Sequence, residues 1–115
     1  MPSHVCGPRT RIIRVMLHIR AHITDTITLD ELASIACVTK SYLIRLFTHT
    51  MGMSPVRYVN RKKMERAQLI LLTEQVPVKE VAYRLGFSDH SYFIRLFRQT
   101  VGISPQEYRR RNGRA

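Results

Sequence analysis

The sequence predicts an all-α fold of two helix-turn-helix lobes joined by a long linker helix, about seven helices in all. Three observations carry the prediction. First, SYLIRLFTHTMGMSPVRYVNR at 41–61 returns without gaps as SYFIRLFRQTVGISPQEYRRR at 91–111, with twelve of twenty-one positions identical. One supersecondary unit used twice leaves this mark, and two copies fall short of the roughly three that a stacked solenoid needs. Second, apolar residues recur at three- and four-residue intervals, and no segment shows a convincing period of two. Third, Ser, Thr, Gly and Pro stand where helices start and stop.

Taken in order, residues 1–8 hold two prolines and a glycine without a period and read as a flexible arm. From Thr10 to about Ile23, Ile12, Ile13, Met16, Ile19 and Ile23 recur at helical spacing. Arg11, Arg14, His18 and His22 share the opposite, solvated face. Thr28-Leu-Asp-Glu31 is a capping box that opens a short helix to about Ala36. After a tight connection at Cys37-Val38, where Cys37 reads as a small buried residue, Thr39 caps a helix from Lys40 to Thr50, closed near Gly52. Ser54-Pro55 starts a long helix to about Thr73, with Arg57, Arg61, Lys62, Lys63 and Arg66 on its exposed side. The second half repeats the grammar. Pro77 opens a short helix to Leu85, Gly86 ends it, and Ser88 caps a helix from Asp89 to Thr100. Gly102 closes that helix, and Ser104-Pro105 starts the last one, to about Arg110. The chain so divides into an arm (1–8), a first lobe (9–54), a linker helix (55–73), a second lobe (74–111) and a tail (112–115).

Composition narrows the function. With 19 Lys and Arg against 8 Asp and Glu, a net charge of +11 disfavours cationic partners and favours nucleic acid or an anionic surface. No apolar run approaches the roughly 18 residues of a membrane span, and the first ten residues lack the pattern of a signal peptide. The expectation is a cytoplasmic, nucleoid-associated protein with no membrane partner and no cofactor. Cys6 and Cys37 form neither a metal-ligand spacing nor a disulfide framework and read as reduced thiols. His18 and His22 stand at i, i+4, but no Asp, Glu or Cys accompanies them on that helix, so solvated histidines are expected rather than a metal site. No nucleophile-base set and no Gly-rich phosphate loop is recognisable, so no enzyme is expected.

Short helix, turn, second helix is the arrangement that places the second helix in a DNA major groove, and here it occurs twice. A helix of about 18 residues between the units would span roughly 27 Å, near the ~34 Å that separates successive major-groove segments on one face of DNA. In the first second-helix, Tyr42, Leu43, Leu46 and Phe47 form the apolar stripe, leaving Ser41, Ile44, Arg45 and Thr48 for bases. In its repeat the stripe is Tyr92, Phe93, Leu96 and Phe97, leaving His90, Ser91, Ile94 and Arg95, with Arg98 beyond them. Arg45 and Arg95 suit the guanine O6/N7 edge, Ser41 and Ser91 a base or a phosphate, and Ile44 and Ile94 a thymine methyl. Phosphate contacts are expected from Lys40, Arg57, Arg61, Lys62, Arg98 and Arg109, and Arg109, Arg110, Arg111 and Arg114 form a basic end that either trails along DNA or stays disordered.

These residues carry a resemblance. Gly86-Phe-Ser-Asp-His-Ser-Tyr-Phe-Ile-Arg-Leu-Phe-Arg-Gln-Thr-Val-Gly-Ile-Ser-Pro-Gln-Glu-Tyr-Arg109 resembles the signature of the AraC/XylS family of bacterial transcription regulators. Glu31-Leu-Ala and Tyr42-Leu-Ile-Arg-Leu-Phe resemble its first unit, so the likeness covers about residues 9–111. The resemblance implies two lobes bridged by one helix, with the more discriminating contacts made by the first recognition helix. It also implies activation through contact with RNA polymerase. Most members carry a separate sensing or dimerisation domain, for which this chain has no room. It is therefore expected to be a stand-alone activator that binds double-stranded DNA as a monomer, or a DNA-binding domain excised from a dimeric regulator. Two alternatives stand beside this reading. One is the DNA-binding, methyl-accepting domain of a repair regulator, which needs a reactive cysteine. The other is a polymerase-interaction module with only non-specific DNA affinity.

Overall fold

The computed structural model describes residues 7–113, and all regular structure in them is helical. The helices are α1 (Pro8–Ala21), α2 (Leu29–Ala36), α3 (Lys40–Met51), α4 (Pro55–Thr73), α5 (Val78–Arg84), α6 (His90–Val101) and α7 (Pro105–Asn112). The all-α expectation holds. The arm up to residue 6, with Cys6, and the last two residues of the tail, with Arg114, lie outside the described residues.

Local chemistry explains the helix ends. Thr28, Thr39, Ser54 and Ser104 accept the amides of Glu31, Tyr42, Arg57 and Glu107 at 3.1–3.2 Å, each satisfying an orphan donor of the first turn. Pro8 fills the first helical position of α1, where its missing N–H is no loss, so that helix starts two residues before the expected Thr10. Ser88 is not the cap of α6. Asp89 is, its Oδ1 accepting from the Ser91 amide at 3.0 Å, because a charged acceptor outcompetes a hydroxyl.

The chain forms two compact units. Within the described residues, one takes 7–23 and 27–60, the other 24–26 and 61–113, so α4 is divided between them at Asn60. In the first unit α1, α2 and α3 pack on one another around Ile12, Val15, Ile19, Leu32, Ala36, Leu43 and Phe47. The ring of Tyr58 meets Phe47 edge-on at 5.4 Å. Full burial of a ring such as Phe47 contributes about 1.5–3 kcal/mol. Arg11 and His18 depart from the solvated face expected of them. Arg11 Nη1 donates to the carbonyls of Ala36 and, at 3.3 Å, Cys37, closing the C-terminus of α2 with a cation where the helix dipole favours one. His18 Nε2 lies 2.5 Å from Glu31 Oε2, and its ring stacks on that of His22 at 4.3 Å. The His18 hydrogen bond, with the Thr28 amide, holds the Glu31 carboxyl below the usual carboxylate range.

In the second unit Met64, Ala67, Leu71, Val81, Ala82, Leu85, Phe93 and Phe97 form the core. Phe93 and Phe97 are 6.0 Å apart, and Tyr108 of α7 closes on Phe97 at 5.7 Å. Lys63 corrects the expectation of an exposed basic row. It is only 5% exposed, because it falls on the same stripe of α4 as Ala67, Ile70 and Leu71. Its ammonium is satisfied by the carbonyls of Asp25 and Leu85, both at 2.6 Å. Burial still pulls its pKa from the ordinary 10.5 to about 8, against the opposing charge of Asp25. The short segment 24–26 is part of this unit. Thr26 Oγ1 donates to the Gly86 carbonyl at 3.2 Å.

Candidate nucleic-acid interface

Each unit presents a short helix, a turn and a longer second helix. The turn after α2 passes through Cys37 in the left-handed region (φ 59°), and the Val38 amide reaches back to Ala33 O at 3.1 Å. Cys37 is exposed, not the buried residue expected, because a left-handed residue just past a helix end turns its side chain away from that end. The turn after α5 makes the same closure one residue earlier in the repeat: Gly86 has φ 85°, and the Phe87 amide bonds to Ala82 O at 3.0 Å.

On α3, Leu43 and Phe47 face the core, while Lys40, Ser41, Arg45 and Thr48 are exposed and Ile44 is 39% exposed. No acid lies in the first turn, whose unpaired amides already favour an anion. Lys40 Nζ lies 3.1 Å from Asp30 Oδ1 with both groups open to water, a weak pair that competes poorly with a phosphate. On α6, Phe93 and Phe97 face the core, while His90, Ser91, Arg95 and Arg98 are exposed. Ile94 differs from Ile44: it is half-buried and packs against the core of its own unit.

On the second helices, Tyr42 and Tyr92 are residues that sequence reasoning misplaced. Both were expected in the apolar stripe, yet they are 37% and 43% exposed. They lie at the edge of the stripe, and a phenol keeps its polar tip in water. The Arg45 Cζ lies 5.8 Å from the Tyr42 ring centroid and the Arg95 Cζ 5.7 Å from that of Tyr92. The i, i+3 spacing of Tyr and Arg in both copies is the signal that points to these pairs.

The phosphate candidates divide. Arg57 and Arg61 are exposed on α4; Lys62 is half-buried, with Glu65 Oε1 3.4 Å from its Nζ. Arg109 is committed within the fold. Its Nε donates to Leu71 O and its Nη2 to Glu74 O, both at 3.1 Å, so it ties α7 to the carbonyl end of α4. Among the described residues, no three His, Cys, Asp or Glu side chains gather as a metal site, and no helix is long and apolar enough to cross a membrane.

Comparison with known proteins agrees with this geometry. Residues 32–111 match the model of a helix-turn-helix domain family of the AraC type. Among curated proteins, the probable transcriptional regulator LumQ of Photobacterium leiognathi is 34% identical over 83 residues, which is 72% of this chain and 34% of LumQ. The transcriptional activator RhaS of Escherichia coli is 30% identical over 80 residues, 70% of this chain and 29% of RhaS. The chain thus spans about a third of the length of the curated relatives it matches. Among solved structures, the C-terminal domain of AraT, a response regulator from Geobacillus stearothermophilus, has a TM-score of 0.87 at 29% identity, covering 91% of this chain and 88% of that one. The DNA-binding domain of AdpA, solved with a target DNA, has a TM-score of 0.83 at 27% identity, covering 87% and 90%. A match of this extent to the family model, with relatives of this similarity, places the chain in the AraC/XylS family of transcription regulators, whose DNA-binding domain it carries.

Proposed function

We propose that this chain binds double-stranded DNA sequence-specifically and regulates transcription, with α3 and α6 entering neighbouring segments of the major groove. The observation that carries the reading is the pair of outward faces, each with an exposed arginine lying over an exposed tyrosine ring, in a chain of net charge +11. The AdpA domain, solved with DNA, supports it by similarity of fold and sequence. In this reading Ser41, Ile44, Arg45 and Thr48 meet bases from α3, and His90, Ser91, Ile94 and Arg95 from α6. Lys40, Arg57, Arg61, Lys62 and Arg98 hold phosphates. Arg109 leaves that set, since its guanidinium serves the carbonyls of Leu71, in the last turn of α4, and of Glu74, just past its end. As a monomer on DNA, or as the DNA-binding domain of a dimeric regulator, in the cytoplasm and at the nucleoid, it activates by touching RNA polymerase; the name of RhaS as an activator supports that sign.

Selection of bound duplexes from a random pool tests the reading. Two recurring half-sites about one helical turn apart are expected, and Arg45→Ala should cost about 1–3 kcal/mol on the selected site while relaxing preference at one base pair. A pool that yields no consensus would leave non-specific binding, and a salt slope near zero would favour a polymerase-interaction module instead. Transfer of a methyl group from alkylated DNA to Cys6 or Cys37 would favour the repair regulator.

A further inference from the structure

We propose that Tyr42 and Tyr92 are specificity-determining positioning residues: each ring holds the guanidinium of the arginine one turn further on, so that Arg45 and Arg95 present a fixed fork to a guanine. The inference rests on the base-reading role proposed above for the two arginines.

Three observations lead here. The neighbouring aromatic positions Phe47, Phe93 and Phe97 are wholly buried, whereas the two tyrosines keep 37% and 43% of their surface open. The open part of each ring is therefore accessible to a neighbouring cation on the helix surface. Both exposed rings lie beneath an arginine at nearly the same distance, 5.8 and 5.7 Å, in two separately packed units. Both pairs also fall in the first two turns of their helices, the part of a recognition helix that reaches base edges.

The physical gain is pre-organisation. A free arginine on a helix surface samples many rotamers and must give them up to place two N–H groups on guanine O6 and N7. A ring face against the guanidinium plane confines it beforehand while leaving the N–H edge open. In the second unit the ring is itself braced, since Phe87 lies 6.0 Å from Tyr92 on the core side. A cation held over an exposed ring corresponds to about a two- to fivefold effect on an equilibrium. The effect falls on the discrimination between guanine and other bases, because a misplaced fork still satisfies a phosphate.

The test uses the full chain and a duplex carrying its selected site. Arg45→Ala first identifies the guanine that Arg45 reads. Binding is then compared for that duplex and for one with 7-deazaguanine at that position, using the wild type, Tyr42→Phe and Tyr42→Leu. A ratio of two affinities on one preparation cancels any inactive fraction, so partial misfolding does not obscure the answer. Tyr42→Phe keeps the ring and should keep the wild-type ratio. Tyr42→Leu should lower it two- to fivefold, with an unchanged unfolding midpoint, and Tyr92→Leu should do the same at the other half-site only. A full ratio in Tyr42→Leu, or an equal fall in Tyr42→Phe, would overturn the positioning role while leaving base reading by Arg45 intact. If Arg45→Ala identifies no guanine, the base-reading proposal itself fails, and the inference with it.

Discussion

In the first unit three residues, Cys37 to Thr39, lead from the left-handed turn position to the first residue of α3. In the second, four residues, Gly86 to Asp89, lead to α6. The fifty-residue repeat through α3 and α6 therefore slips by one upstream of the turns. Each helix end is closed by a cation, Arg11 on the carbonyls of Ala36 and Cys37, Lys63 on those of Leu85 and Asp25. The surroundings of the two turns differ. Cys37 stands in the open at a backbone angle costly to any side chain, while Gly86 lies against the backbone of segment 24–26, where a Cβ would come within 2.9 Å of the Asp25 carbonyl carbon. The lesson is that one motif tolerates two kinds of turn. One is held by a half-buried guanidinium and is indifferent to the turn residue's size. The other is held by a buried amine and is intolerant of any side chain.

The comparison breaks most visibly at the turn itself. Gly86→Ala adds both a left-handed penalty and a clash with backbone that cannot step aside, so it should destabilise by about 3 kcal/mol in urea unfolding. Cys37→Gly should raise stability by up to about 1 kcal/mol, since it relieves the angle and removes no packing. Equal effects of the two changes would show that the turns are not different in kind.

Next in size are the two cations. Lys63→Met strips the donor from two carbonyls and should cost about 1–3 kcal/mol, more than Arg11→Met, whose site water can reach. Lysine also adds a pH dependence that arginine does not. Because the native pKa is about 8 and the unfolded one 10.5, the unfolded chain binds the proton more tightly between those values. Native stability should therefore rise with pH across that window, as the cost of burying the charge is relieved. Unfolding at pH 7, 8.5 and 10 should show this rise in the wild type and less of it in Lys63→Met; identical profiles would refute the depressed pKa.

Smaller effects separate the two outward faces. Ile94→Ala should cost about 1 kcal/mol or more of stability because its side chain packs on the core, whereas Ile44→Ala should stay within about 0.5 kcal/mol. Asp89 places a carboxylate at the mouth of α6, where α3 has only the hydroxyl of Thr39. Asp89→Ser keeps a cap and removes the charge, so DNA affinity should increase a few-fold, more at low salt than at high. An unchanged affinity would place that carboxylate away from the phosphates.

Much of this molecule is legible in its sequence. Thr28, Thr39, Ser54 and Ser104 act on amides three residues away, and the buried Leu and Phe positions of α3 and α6 follow from a period of 3.6. Such signals are local, so a sequence alone determined the seven helices of the described residues and most of both cores. The outward positions of Arg45 and Arg95 follow from the same periodicity. What only the tertiary structure decided lies in partners distant along the chain. Lys63 reads as one more surface cation until the Asp25 carbonyl, 38 residues earlier, meets its ammonium, and Arg109 until Leu71 takes its guanidinium. Tyr42 and Tyr92 read as core until the packing shows that Leu43 and Phe93 have filled it. The docking of segment 24–26 against Gly86 left no mark in any period or cap. A periodic pattern reports which face of a helix is buried, and only the folded chain reports what each side chain meets there.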